Sequence, residues 1–221
     1  MKRTTYLHVV LDMSGSMETL RADTIGGFNN YLNRLREDDS TDVLVSLTTF
    51  HNTDQVQPLR PLAEVPALTR ANYEPMGGTA LYDALGNFFN ASRWFDTGDP
   101  QLLLIITDGH ENSSRRYTKQ AIVNEITSRK AVGNWTFAYL GANQDAWDEG
   151  SQINIHATLT YQPDSTGTRY MWDSVYNNTT SLRSYLSNTM SESSVPDFFN
   201  QTNDPTTTTA STSDEQKPTA R

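Results

Sequence analysis

The sequence predicts an α/β fold: a Rossmann-like, doubly wound three-layer sandwich whose central sheet is mostly parallel, with one antiparallel edge strand. Two observations carry that reading. The segments Tyr6–Leu11 and Gln101–Asp108 (QLLLIITD) are apolar runs of strand length, as strands buried on both faces require. Between and after them, apolar residues recur three and four positions apart, the stripe of a helix laid on a sheet. Strands alternating with helices wind a parallel sheet through right-handed crossovers, with helices on both faces. The 221 residues suit one core, since domains run to roughly 100–200 residues.

The first run, YLHVVLDMSGSM from Tyr6 to Met17, is a buried strand that ends among Asp12, Ser14 and Ser16. Leu20, Ile25, Phe28, Tyr31, Leu32 and Leu35 mark the next helix, where Gly26 and Gly27 are expected to let it approach the sheet closely. Glu37-Asp38-Asp39 ends that helix. Val43–Phe50 is the second strand, and the polar turn Asn52–Asp54 leads to Gln55–Leu59, its antiparallel edge partner. Pro58, Pro61 and Pro66 make the following stretch irregular, because proline offers no ladder donor. Pro75-Met76-Gly77-Gly78-Thr79-Ala80-Leu81 is a glycine turn that delivers the Thr79 hydroxyl to the mouth of a helix running to about Phe95.

After QLLLIITD come a helix over Tyr117–Lys130, a strand over Trp135–Leu140, a short helix over Asp145–Gly150 and an edge strand over Ala157–Tyr161. A final helix, Thr168 to Leu186, is expected to present Tyr170, Val175, Leu182 and Leu186 on one side. Trp135, Trp147 and Trp172 are expected in packed positions. From Met190 the pattern dissolves, so the folded domain is assigned to residues 1–189 and a flexible Thr/Ser-rich tail to residues 190–221. The run Thr206–Thr209 cannot bury enough apolar surface to offset the cost of ordering it.

Composition removes several functional classes. A net charge of -9 and a pI of 4.8 leave no basic field for nucleic acid or an anionic membrane. With Cys at 0 there is no disulfide, thiolate nucleophile or zinc–thiolate site, and a reducing compartment is favoured. Met1–Thr5 leads into only a strand-length apolar run, without the long apolar region of a secretory signal. No stretch approaches the roughly 18 apolar residues of a membrane span. A soluble, cytoplasmic protein is the expectation.

Chemistry begins where the first strand stops, because open α/β sheets bind ligands beyond the carboxyl ends of their strands. Asp12, Ser14 and Ser16, spaced by single residues, can point three oxygens one way, with Gly15 giving the backbone room to turn. An all-oxygen set suggests a hard cation. Asp108 ends a second buried strand and is also followed by glycine, and the Thr79 turn converges on the same crevice. Either aspartate alone reads as a turn cap; together with the hydroxyls they favour a metal. His110 and Glu111 are rim candidates, as against ordinary loop residues. Met13, Gly15, Met17, Gly77 and Gly78 are further rim candidates, although methionine is also a common core filler. His8, His51 and His156 show no metal-ligand spacing and are given no role.

These segments resemble a von Willebrand factor A domain with a metal-ion-dependent adhesion site. The family's Asp-x-Ser-x-Ser is Asp12-Met13-Ser14-Gly15-Ser16, followed by Met17; its threonine in a Gly-Gly-Thr turn matches Thr79; its Thr-Asp-Gly matches Thr107-Asp108-Gly109. The resemblance implies that Ser14, Ser16 and Thr79 supply hydroxyl ligands, Thr79 directly or through water, while Asp12 and Asp108 hold the ion largely through water. It implies Mg²⁺, with Mn²⁺ or Ca²⁺ as alternatives. Mg²⁺ takes octahedral oxygen at about 2.0–2.1 Å and keeps several waters, and two carboxylates balance its charge while the hydroxyls add none.

An ion so held keeps an electrophilic open position, suited to an Asp or Glu side chain of a partner protein. The expected function is therefore a metal-dependent protein-interaction module and not an enzyme, of the stand-alone kind found in bacteria and phages. The alternatives are Mg²⁺-dependent phosphoryl transfer with Asp12 as nucleophile, or a structural component of a larger assembly. Against phosphoryl transfer, the second aspartate that haloacid dehalogenase-like phosphatases place two residues on is Ser14, and no GxxxxGK[ST] loop is present. The resemblance also implies coupling between the Thr79 loop and the last helix. Nothing in the sequence specifies an oligomeric state.

Overall fold

Alternation within the central strands builds the core on both sides of one sheet. The computed structural model describes residues 4–38, 42–92, 98–142, 146–188 and 198–199. The sheet has the order β3-β2-β1-β4-β5-β6, with β1 (Thr4–Asp12), β2 (Asp42–Phe50), β3 (Asp54–Pro61), β4 (Gln101–Thr107), β5 (Trp135–Ala142) and β6 (Thr158–Tyr161). All neighbouring pairs are parallel except β2–β3, the antiparallel edge. The helices are α1 (Arg21–Arg36), α2 (Leu81–Ala91), α3 (Lys119–Val132), α4 (Ala146–Gln152) and α5 (Ser165–Asn188).

Leu7, Val9 and Leu11 of β1 and Leu102, Leu104 and Ile106 of β4 face one layer, where they meet Phe28 and Tyr31 of α1 and Trp172 and Val175 of α5. Val10, Leu103 and Ile105 face the other, against Leu85, Phe89, Ile122 and Ile126 of α2 and α3. Each such side chain contributes roughly 1.5–3 kcal/mol on burial.

Several elements differ from the sequence expectation, each for a local reason. β3 continues through Pro58 to Pro61, because the edge position and a register shift between Val45 and Leu47 relieve proline of its missing donor. α3 begins at Lys119, where the Thr118 hydroxyl accepts the Ala121 N–H, and it ends at Gly133 with φ +91°. α2 ends at Ala91, and its expected end near Phe95 falls in residues 93–97, which lie outside the described residues, as do Asp39 and Asp145. Gly27 does not serve the sheet. A Cβ there would stand 2.0 Å from Trp172 Cδ1, so the glycine admits the α5 indole, whereas Gly26 faces open space.

α5 starts at Ser165, earlier than its apolar stripe, where the Asp164 carboxylate accepts the Gly167 N–H at 2.7 Å, and much of its buried face is polar. Thr179 bonds the Tyr31 hydroxyl at 3.0 Å, and Arg183, 0% exposed, donates to the Asp38 carboxylate at 2.8 Å and to its carbonyl at 3.0 Å. Tyr170, expected inward, is exposed, and the Leu186 side chain lies outside the described residues. Trp147 is also exposed, since α4 turns Ala146 and Gly150 inward instead. Phe198 and Phe199 pack against the α1–α5 layer, so part of the stretch assigned to a tail meets the core; its remaining residues lie outside the described ones. Among the described residues no helix is long and apolar enough to cross a membrane.

Candidate metal centre

β1 and β4 are neighbours, yet the chain leaves β1 toward β2 on one side and continues from β4 toward β5 on the other. The loops beyond their carboxyl ends therefore part, leaving the crevice in which open α/β sheets bind ligands. The turn Gly15–Leu20 leaves β1 on one wall. The loop after β4 and the segment before α2 form the others.

Asp12, at the end of β1, is 0% exposed. Its Oδ1 accepts the Ser14 N–H at 2.7 Å and its Oδ2 accepts the Thr107 hydroxyl at 2.6 Å. Ser14 Oγ lies 3.1 Å from Ser16 Oγ, and the Ser16 hydroxyl donates to Asp108 Oδ1 at 2.7 Å. Thr79 joins this group across Gly109: a Cβ on that glycine would stand 3.1 Å from Thr79 Oγ1 and 3.7 Å from Ser16 Oγ. All five residues expected to hold a metal thus gather at one place.

Burial pushes the Asp12 carboxyl up to about 6, against the opposing hydrogen bonds from Thr107 and Ser14, and nearby Asp108 adds to the rise. Burial raises Asp108 too, although its bond from Ser16 works the other way. Two desolvated carboxyls side by side favour a cation that would restore their charge. Among the described residues no three His, Asp or Glu side chains gather into a metal cluster. The set is two carboxylates and three hydroxyls, oxygen throughout, which fits Mg²⁺ and not zinc.

The supports of these residues come from positions that carry no motif. Tyr73, 0% exposed, donates its hydroxyl to the Asp12 carbonyl at 2.6 Å. Asn112 brackets Thr79: its Oδ1 accepts the Thr79 N–H at 2.9 Å, and its N–H donates to the Thr79 carbonyl at 3.0 Å. Asn52 Oδ1 accepts the Gly78 N–H at 2.6 Å.

The rim expectation is corrected in part. Met13 and Met17 belong to the core at 4% and 0% exposure. Glu111 points back into its own loop and the first turn of α2, accepting N–H bonds from Tyr82, Ser113 and Ser114. Gly15 and Gly77 do meet at the mouth, joined by an N–H···O=C bond of 3.1 Å, and Gly78 follows. His110 is exposed beside the crevice, its Nδ1 2.8 Å from Glu149 Oε1.

No known family profile matches the sequence, and no curated protein does. Solved structures do. The fold is similar to that of the pilus adhesin SpaC from Lactobacillus rhamnosus GG in its open conformation, at 16% identity and a TM-score of 0.62, over 80% of this chain and 30% of that one. It is similar to a von Willebrand factor type A protein from Catenulispora acidiphila, at 16% identity and a TM-score of 0.58, over 80% of this chain and 43% of that one. It is similar also to the von Willebrand factor domain of the type V pili tip protein Mfa5 from Porphyromonas gingivalis, at 10% identity and a TM-score of 0.57, over 81% of this chain and 96% of that one. At such identities the likeness is one of fold. This chain spans less than half the length of the first two.

Proposed function

We propose that this chain, a domain of the von Willebrand factor A-like fold, is a Mg²⁺-dependent protein-interaction module whose ion takes an Asp or Glu side chain of a partner as a ligand. The observation that carries the reading is the convergence of Asp12, Ser14, Ser16, Thr79 and Asp108 at the switch between β1 and β4. Ser14, Ser16 and Thr79 would offer neutral hydroxyl oxygens, and Asp12 and Asp108 would balance the charge through bound water. When bound, the ion supplies an electrophilic position for a carboxylate oxygen. The adhesin and pilus-tip names among the similar folds support a protein as the partner.

Asp12 is badly placed as a nucleophile. It is fully buried, and both of its oxygens already accept hydrogen bonds; nucleophilic attack needs an accessible, activated oxygen. Binding is therefore preferred to phosphoryl transfer. The test is fluorescence anisotropy of a labelled peptide with a single Asp, titrated with protein in Mg²⁺, in chelator, and with Asp12→Ala. Binding is expected only for the unmodified chain with Mg²⁺; equal binding in chelator would overturn the reading. Fractionating the host with an antibody to the chain separates a cytoplasmic setting from a cell-surface one.

A further inference from the structure

Beside Thr79, the loop after β4 closes a second cleft. It has a volume of about 490 Å³ and is lined by Asn52, Asp83, Asn112, Ser113, Ser114 and Arg115. Gly78 brings it against the metal centre: a Cβ there would stand 2.1 Å from Ser113 Oγ and 2.8 Å from Asn112 Oδ1, so only a glycine lets these side chains close onto the Thr79 turn. Gly78, against which these two lining side chains close, directly precedes the candidate metal ligand Thr79.

The hydrogen-bonding inventory of the cleft is lopsided. Its carboxylate and amide oxygens are committed: Asp83 accepts backbone N–H bonds from Arg115, Arg116 and Tyr117 at 3.0, 2.8 and 2.9 Å. Asn52 Oδ1 and Asn112 Oδ1 hold the backbone of Gly78 and Thr79. The Ser113 and Ser114 hydroxyls are likewise committed, donating to Asn112 Oδ1 and Glu111 Oε2, but the amide and guanidinium donors are not. Among the described residues the Nδ2 groups of Asn52 and Asn112 and the guanidinium of Arg115 make no hydrogen bond or ion pair. The adjacent Arg116 differs, being paired with Asp54 at 3.0 Å and Asp83 at 3.6 Å. A site with uncommitted donors and one unpaired guanidinium selects a group that only accepts, and an ionised carboxylate is such a group.

We propose that this cleft is a second anchor for the same partner. It takes a second carboxylate on Arg115 and the two asparagine amides, while the first completes the coordination of the ion. The inference rests on the metal-dependent reading above. It narrows the partner to a segment with two acidic side chains a short distance apart, which the acidic chain otherwise disfavours, its net charge being -9.

The test uses the full chain with Mg²⁺ and amidated Gly/Ser peptides: one carries a single Asp, and four add a Glu at each of the next four positions. One spacing is expected to bind about five- to tenfold tighter than the single-acid peptide, the range between an exposed ion pair and a bidentate one. That gain is expected to vanish in Arg115→Ala and to survive in part in Arg115→Lys, with single-acid affinity unchanged in both. A gain at no spacing, or one that persists in Arg115→Ala, overturns the second anchor while leaving the metal-dependent reading standing. Failure of the single-acid peptide to bind with Mg²⁺ overturns the metal-dependent reading, and the second anchor with it.

Discussion

Thr79 is positioned by its main chain, and that decides how its hydroxyl is presented. Its N–H and carbonyl are both taken by Asn112, with Ser113 adding a second bond to the carbonyl at 3.2 Å, so Oγ1 stays directed at the crevice beside Gly109. Asn112→Leu removes the acceptor and is expected to weaken Mg²⁺ binding about tenfold, the worth of one hydrogen bond at a partly buried site. Asn112→Asp keeps the acceptor and should retain the affinity. Calorimetric titration of Mg²⁺ measures both; unchanged affinity in the leucine variant would show that Thr79 needs no such support. Asp12, Ser14, Ser16, Thr79 and Asp108 were legible in the sequence because they sit in short words at the ends of elements. Asn112 and Tyr73 were not, because their bonds reach across 33 and 61 residues to backbone atoms that no local pattern marks.

At the level of elements, α5 is seated on α1 through the close contact of the Trp172 indole with Gly27. The Trp172 ring lies over Gly27, against Phe28 and Tyr31 at centroid distances of 6.0 and 5.6 Å. Gly27→Ala gains about 1 kcal/mol of helix propensity but drives a methyl into the indole. The net result is expected to be a loss of about 1–3 kcal/mol, as overpacked cores show, read as a lower urea midpoint. A stabilised variant would mean that the indole can move aside. The strands were legible because their buried runs are continuous. α5 was only half legible, since its inward face carries Thr179 and the buried Arg183, which pairs with Asp38 beyond the end of α1, residue types that a hydrophobic stripe does not count. Trp147 misled for the converse reason: a large apolar residue on a short helix takes the side the small residues leave open.

Across the whole molecule, the amino end of the sheet carries a buried histidine that sets a pH limit. His8 is 0% exposed, stacks on Trp135 at 5.5 Å, and bonds Ser46 Oγ at 2.7 Å and Gln101 Oε1 at 2.9 Å. Burial, with a lesser push from Arg129, lowers it to about 4, although its bond with Gln101 works to raise it. Above pH 6.5 the ring is neutral in folded and unfolded chains alike. As pH falls from about 6.5 to 4 the unfolded chain takes up a proton that the folded chain refuses, so stability drops, by up to about 3 kcal/mol. Asp12 acts in the opposite sense: held near 6 without metal, it favours the folded state as pH falls through that value. Urea unfolding in chelator at pH 7 and pH 4.5 is expected to show a smaller acid loss for His8→Gln than for the unmodified chain. Equal losses would place the acid sensitivity elsewhere.

The two margins of the sheet bear on how closely copies can be gathered. One margin, β3, carries Pro58, Arg60 and Pro61, and the other, β6, is four residues long. Neither offers the long, flat row of unpaired amides on which a second chain could continue the sheet. Strand-to-strand association of copies at high concentration is therefore disfavoured at both margins.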